Sequence, residues 1–118
     1  MNIEELRNYC IAKKGVEETF PFDEETLVFK VMGKVFLLVG IESNPVSFNV
    51  KCNPEKAIEL RENYSCVQPG FHMNKKHWNT VICDGLVSKK MYKEWIDDSY
   101  NLILEALPKK LKEEFKQL

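Results

Sequence analysis

Glycine is scarce and scattered in this chain: the five glycines among 118 residues never gather into a loop that could cradle a phosphate. The four cysteines, Cys10, Cys52, Cys66 and Cys83, form no C-x-x-C pair, which removes the usual zinc and dithiol motifs. Set beside apolar neighbours, as in Val81-Ile82-Cys83, they read as buried free thiols in a reducing compartment. No apolar run approaches the ~20 residues of a membrane span. The opening Met1-Asn2-Ile3-Glu4-Glu5-Leu6 lacks the basic-then-apolar order of a signal peptide. A cytoplasmic protein with no membrane partner is expected. Net charge is nearly absent as well, at −1. A protein that coats nucleic acid without specificity neutralises many phosphates, so the charge argues against that class and leaves a local basic face open.

What is present is ordinary globular chemistry, with 44% hydrophobic and 30% charged residues, enough for one domain spanning 1–118; a monomer is expected. Asn2 caps a first helix whose apolar stripe holds Ile3, Leu6, Tyr9 and Cys10, with Gly15 as its stop. An acidic loop follows, from Val16 to Glu25, in which Phe20 and Phe22 are expected to pin the backbone to the core. Thr26–Met32 and Val35–Ile41 alternate as strands about the Gly33-Lys34 turn, and Val46–Lys51 supplies a third strand after Asn44-Pro45. Asn53-Pro54 opens a short helix to about Asn63, and 64–68 leads to the Pro69-Gly70 turn. Trp78–Cys83 is a further strand, and Ser88 caps a long helix carrying Met91, Tyr92, Trp95, Ile96, Ser99, Tyr100, Ile103, Leu104 and Leu107 at intervals of three and four. Pro108 interrupts it before a short final helix. The order implies an α+β fold: a single antiparallel sheet with helices packed on one face, the other face open to water or a partner.

Chemistry-bearing groups concentrate in Pro69–Thr80, which holds both histidines. His72 and His77 are five apart, a spacing that shares neither a helical face nor a strand face, so no metal site is expected. No serine or cysteine lies in a nucleophile's context, so no catalytic residue and no cofactor are assigned. Nucleic acid suits these groups better. Lys75 and Lys76 can neutralise phosphates, Asn74 and Asn79 can bond backbone or base edges, and His72, His77 and Trp78 can stack. Lys89 and Lys90 can extend the same surface. The bland reading stands beside this one: Trp78 anchors the strand in the core, and the polar groups fix their own loop.

Several segments taken together resemble the MmcQ/YjbR family of small bacterial proteins. They are Lys13-Lys14-Gly15, Pro21-Phe22-Asp23, Thr26 to Val31, Gly33-Lys34-Val35-Phe36 and above all Pro69 to Thr80, with Asp97 and Ser99-Tyr100 similar as well. The resemblance implies a CyaY-like (frataxin-like) α+β architecture and a DNA-binding or regulatory module of the "double wing" type, and it supplies no catalytic residue. The nucleic-acid contacts would then be His72, Asn74, Lys75, Lys76, His77, Asn79, Lys89 and Lys90. Kinship with frataxin would instead imply iron binding through Glu17, Glu18, Asp23, Glu24 and Glu25. Function does not travel with fold, and a non-catalytic protein-interaction module is the third expectation.

Overall fold

The computed structural model describes residues 1–118. Ten elements follow one another: α1 (Ile3–Ile11), β1 (Val16–Thr19), β2 (Thr26–Val31), β3 (Lys34–Gly40), β4 (Ser47–Lys51), α2 (Pro54–Asn63), β5 (Val67–Pro69), β6 (Trp78–Ile82), α3 (Lys89–Glu105) and α4 (Lys109–Lys116). The strands form one sheet in the order β1-β2-β3-β4-β6-β5, with every neighbour antiparallel. The expected α+β class with helices on one face is what the chain adopts.

Local chemistry explains the elements. Asn2 accepts a hydrogen bond from the Glu5 N–H at 2.8 Å, Asn53 caps α2 ahead of Pro54, and the Ser88 hydroxyl accepts from Met91 N–H. The β2–β3 hairpin turns through Met32 and Gly33 with φ of 51° and 81°, the pair of positive angles that a two-residue turn needs to follow the sheet's twist.

Four details depart from the sequence reading. The acidic loop is half strand, because Val16–Thr19 pairs along β2 and leaves only 20–25 as loop. Phe20 and Phe22 are not pinned to the core; Phe22 is 72% exposed. The segment before Pro69 contains an edge strand, β5, too short to show a period of its own. The first helix ends at Ile11, and a turn separates it from Gly15, which takes a φ of 75°.

The core lies between the sheet and the helix layer. Leu6 and Cys10 of α1 and Tyr92, Trp95, Ile96, Tyr100 and Ile103 of α3 cover Leu27, Phe29, Val31, Leu37, Val39, Phe48, Val50 and Val81. Aromatic edges meet faces within it: Phe36 on Tyr100 at 5.5 Å, Phe48 on Tyr92 at 6.2 Å, Tyr64 on Trp95 at 5.2 Å. Three side chains of α3 fasten the layers. Asp97 accepts from Tyr9 Oη at 2.7 Å and pairs with Lys13. Tyr100 Oη donates to the Lys14 carbonyl. Ser99, fully buried, donates to the Phe36 carbonyl at 2.6 Å and accepts from the Lys51 N–H at 2.9 Å. Phe36 is the extra residue where the β2–β3 register shifts, since Phe29 pairs with Leu37 and Lys30 with Val35. A bulge interrupts the ladder, and the serine hydroxyl bridges the Phe36 carbonyl of β3 and the Lys51 N–H of the neighbouring β4. Ser99→Ala should therefore lower unfolding free energy by about 2–4 kcal/mol, since each stranded buried group costs about 1–3. Urea denaturation should show a lower midpoint at unchanged slope; a loss below about 0.5 kcal/mol would contradict this role.

Candidate functional site

Alternation along β6 decides what the other face of the sheet displays. Asn79 and Val81 point into the core, both 1% exposed, so Trp78 and Thr80 point outward. This corrects the expectation that Trp78 is a core anchor: it is half-buried on the open face. The physical reason is that an asparagine takes the inward position. Its Oδ1 accepts from Arg61 Nε at 2.7 Å and its Nδ2 donates to the Ala57 carbonyl at 3.4 Å, which satisfies a polar group that burial would otherwise penalise.

Arg61 also shapes the loop before β6. Its Nη2 donates to the carbonyls of Lys75 and of Trp78, the latter at 3.2 Å. Within the loop the Asn74 side chain accepts from Lys76 N–H at 3.0 Å, and Lys75 Nζ donates to the Gly70 carbonyl at 2.9 Å. Gly70 lies against Trp78, where an added Cβ would stand 2.8 Å from both the tryptophan Cβ and its carbonyl oxygen. Only glycine fits so close an approach. His72 follows with a φ of 60°, which turns the chain and leaves Phe71 67% exposed with its ring 4.1 Å from the imidazole.

The result is a groove of about 480 Å³ on the open face. Leu38, Asn49 and Trp78 line it, with Phe71, His72 and Met73 on one side and Phe22 and Asp23 on the other. Asp23 holds its own loop by accepting from the Glu25 and Thr26 N–H groups at 2.8 and 2.7 Å, and these bonds hold its carboxyl below the ordinary value. Thr80 Oγ1 accepts from Phe71 N–H at 2.9 Å and donates to Asn49 Oδ1 at 2.5 Å. Lys51 shares the open face by register, directly opposite Trp78.

The expected contacts therefore divide. His72, Asn74, Lys75, Lys76 and His77 lie together on the loop, where Lys76 is exposed and His77 half-buried. Asn74 and Lys75 already serve the loop's own hydrogen bonds, and Asn79 faces away from the groove. Lys89 and Lys90 stand in the helix layer beyond the far end of β6, whose five residues span roughly 13 Å. Lys89 pairs with Glu5 at 2.7 Å, and Lys90 neighbours Tyr9 and Glu94. The acidic residues disperse too. Glu18 grips Arg7 through both oxygens at 2.6 and 2.7 Å, Glu17 sits on the opposite face across from Lys30, and no group of three or more potential metal ligands assembles anywhere. Burial pushes the Cys10 thiol up to about 12 and that of Cys83 up to about 11, so these thiols are protonated and unreactive near neutrality.

The family model of YjbR matches residues 11–102. The chain belongs to the YjbR family. It is 35% identical over the full length of both chains to the uncharacterized protein YjbR of Escherichia coli strain K12. It is also 37% identical to the uncharacterized protein YbdF of Escherichia coli O157:H7, over 80% of this chain and 78% of the relative. The crystal structure of Deinococcus radiodurans protein DR2400 superposes with a TM-score of 0.90 at 37% identity, covering 98% of this chain and 88% of that one. A Pseudomonas syringae structure reaches 0.74 at 27% identity, over 86% and 98% respectively. None of these names carries an activity, so the function of this YjbR chain rests on its own geometry.

Sequence reasoning singled out the loop beside this groove but gave no binding or positioning role to Phe22, Phe71, Asn49 and Arg61. The signal for Asn49 was available, since Ser47 and Asn49 are the polar alternates of β4. Nothing local marked Arg61, which acts 14 to 18 residues away. Arg61→Ala should cost about 2–4 kcal/mol, since it strands a buried amide oxygen and two carbonyls. Arg61→Lys should recover only a small part, because an ammonium cannot reproduce the planar fork. Chemical denaturation of both variants tests this, and a lysine variant as stable as the parent would refute it.

Proposed function

We propose that this protein is a DNA-binding module that takes an unpaired strand across the open face of its sheet, acting by occupancy and so in a regulatory role. One observation carries this reading: two phenylalanines with most of their surface exposed, a half-buried tryptophan and an imidazole share one sheet face, beside the lysine-bearing loop. Exposed aromatic rings stack on bases of any sequence, and a few cations track the backbone between them. Lys51, Lys75 and Lys76 supply that charge, with His72 and His77 as further contacts to the strand. Trp78 and Phe71 form the stacking surface. Lys89 and Lys90, at the far end of the molecule, fall outside this footprint. A duplex, whose bases are already stacked on one another, uses the lysines alone and gains nothing from the rings. The acidic residues offered for iron gain no supporting observation, since Glu18 and Asp23 are engaged and Glu17 faces elsewhere.

Fluorescence anisotropy with a labelled single strand and its duplex, at low and moderate salt, tests the reading. The single strand should bind more tightly than the duplex. With about three phosphates neutralised, its affinity should fall with a log–log salt slope of about −2. Phe71→Ala should weaken single-strand binding about tenfold at unchanged melting temperature, in line with one stacked base. Absence of single-strand binding at low salt, or binding untouched by Phe71→Ala, would overturn the proposal.

A further inference from the structure

The floor of the groove carries a hydrogen-bonding arrangement that aromatic stacking does not require. Asn49 stands at its centre, paired by register with Leu38 on one side and Thr80 on the other, with Trp78 as its diagonal neighbour on β6. The Thr80 hydroxyl has a single proton. Its oxygen accepts from the Phe71 N–H at 2.9 Å, and its proton goes to Asn49 Oδ1 at 2.5 Å. That separation lies in the O–H···O range and below the N–H···O range, so oxygen, not nitrogen, faces the threonine. The carboxamide is thereby held in one orientation. Its carbonyl accepts from the protein, and its NH₂ group is left with two donors and no protein acceptor. The indole N–H of Trp78 is in the same condition, and neither donor is sealed from solvent. The central floor of the groove thus presents donors.

We infer that Asn49 is a specificity-determining residue, positioned by Thr80, that selects bases whose accessible edge carries carbonyl acceptors over bases that present an exocyclic amine. This rests on the reading of the groove as a site for an unpaired strand. Thymine offers two carbonyl oxygens to such a floor, one on each side of its ring N–H, where adenine has a single ring-nitrogen acceptor beside its amine. Adenine brings an amino group against donors and leaves one of them unpaired, which is costly in a partly desolvated site. Stacking alone runs the other way, because the larger purine ring overlaps an aromatic side chain better. A preference for thymine would therefore report the hydrogen bonds and not the rings.

Oligothymidylate and oligoadenylate of equal length, titrated at one salt concentration, provide the test. The parent protein should prefer thymidylate by about tenfold, the discrimination that one good base-edge contact supplies. Thr80→Ser keeps the hydroxyl and should keep the preference. Thr80→Val frees the carboxamide to rotate and should bring the ratio close to one while both strands still bind. Asn49→Asp replaces the donors by an acceptor and should shift the ratio toward adenylate; a ratio cancels the general repulsion that the added charge brings. Melting curves establish that each variant is folded, and the parent's own ratio tests the inference without any variant. If the parent binds both strands equally, or prefers adenylate, while Phe71→Ala still weakens binding, the inference on Asn49 is wrong and the stacking groove survives. If the parent binds neither strand, both fall together.

Discussion

One guanidinium sets the geometry of the site from behind the sheet. Arg61, near the end of α2, meets the Asn79 amide and the carbonyls of Lys75 and Trp78. The first contact makes an inward asparagine acceptable in the core, and strand alternation then sends Trp78 and Thr80 to the open face. The other two hold the end of the loop whose earlier residues, Phe71 to Met73, form the groove wall. A rigid fork with several donors is what three differently aimed acceptors need. Without it the polar partner of Val81 on the buried side of β6 would be unsatisfied, and a one-residue slip would exchange the two faces of the strand.

The helix layer answers a different requirement. The β2–β3 bulge interrupts the ladder at Phe36, and the buried hydroxyl of Ser99 closes the gap between β3 and β4. Asp97 and Tyr100, its neighbours on α3, bind Tyr9, Lys13 and the Lys14 carbonyl. The Asp97, Ser99 and Tyr100 set that resembles the family is thus a fastening of helix to sheet, remote from the groove. The two faces of the sheet differ accordingly: one carries the core and its clamps, the other is left open around the groove.

Much of this fold was legible in the chain. Helix caps at Asn2, Asn53 and Ser88 and the periodicity of α3 are local signals that each produced its element, and the hairpin turn expected at Gly33-Lys34 falls one residue earlier, at Met32-Gly33. The edge strands β1 and β5 were not legible, because four and three residues are too few to show a period and their pairing comes from β2 and β6. At the site, chemical density pointed to the loop that borders the groove, and which of its groups are already engaged was not readable from the chain. Asn74 and Asn79 look like ligand groups in sequence, yet both hydrogen-bond the protein itself, while Lys75 gives one of its three ammonium protons to the Gly70 carbonyl and keeps its charge. Phe20 and Phe22 read as pinned to the core, yet they stand in solvent, as does Phe71. Hydrophobicity predicts burial only when the backbone allows it, and the turns at Asp23 and at Gly70-His72 carry these rings outward.

The central claim is that the open sheet face, and not the helix layer, is the binding surface. Backbone amide NMR of the uniformly labelled protein, recorded while an unpaired oligothymidylate is added, tests it most directly. The account predicts that Thr26, Leu38, Asn49, Phe71 to Met73 and the Trp78 indole N–H shift progressively with added strand, while α1 and the first turn of α3 stay in place. Shifts confined to Lys89, Lys90 and α1, or a spectrum that does not change at all, would contradict it.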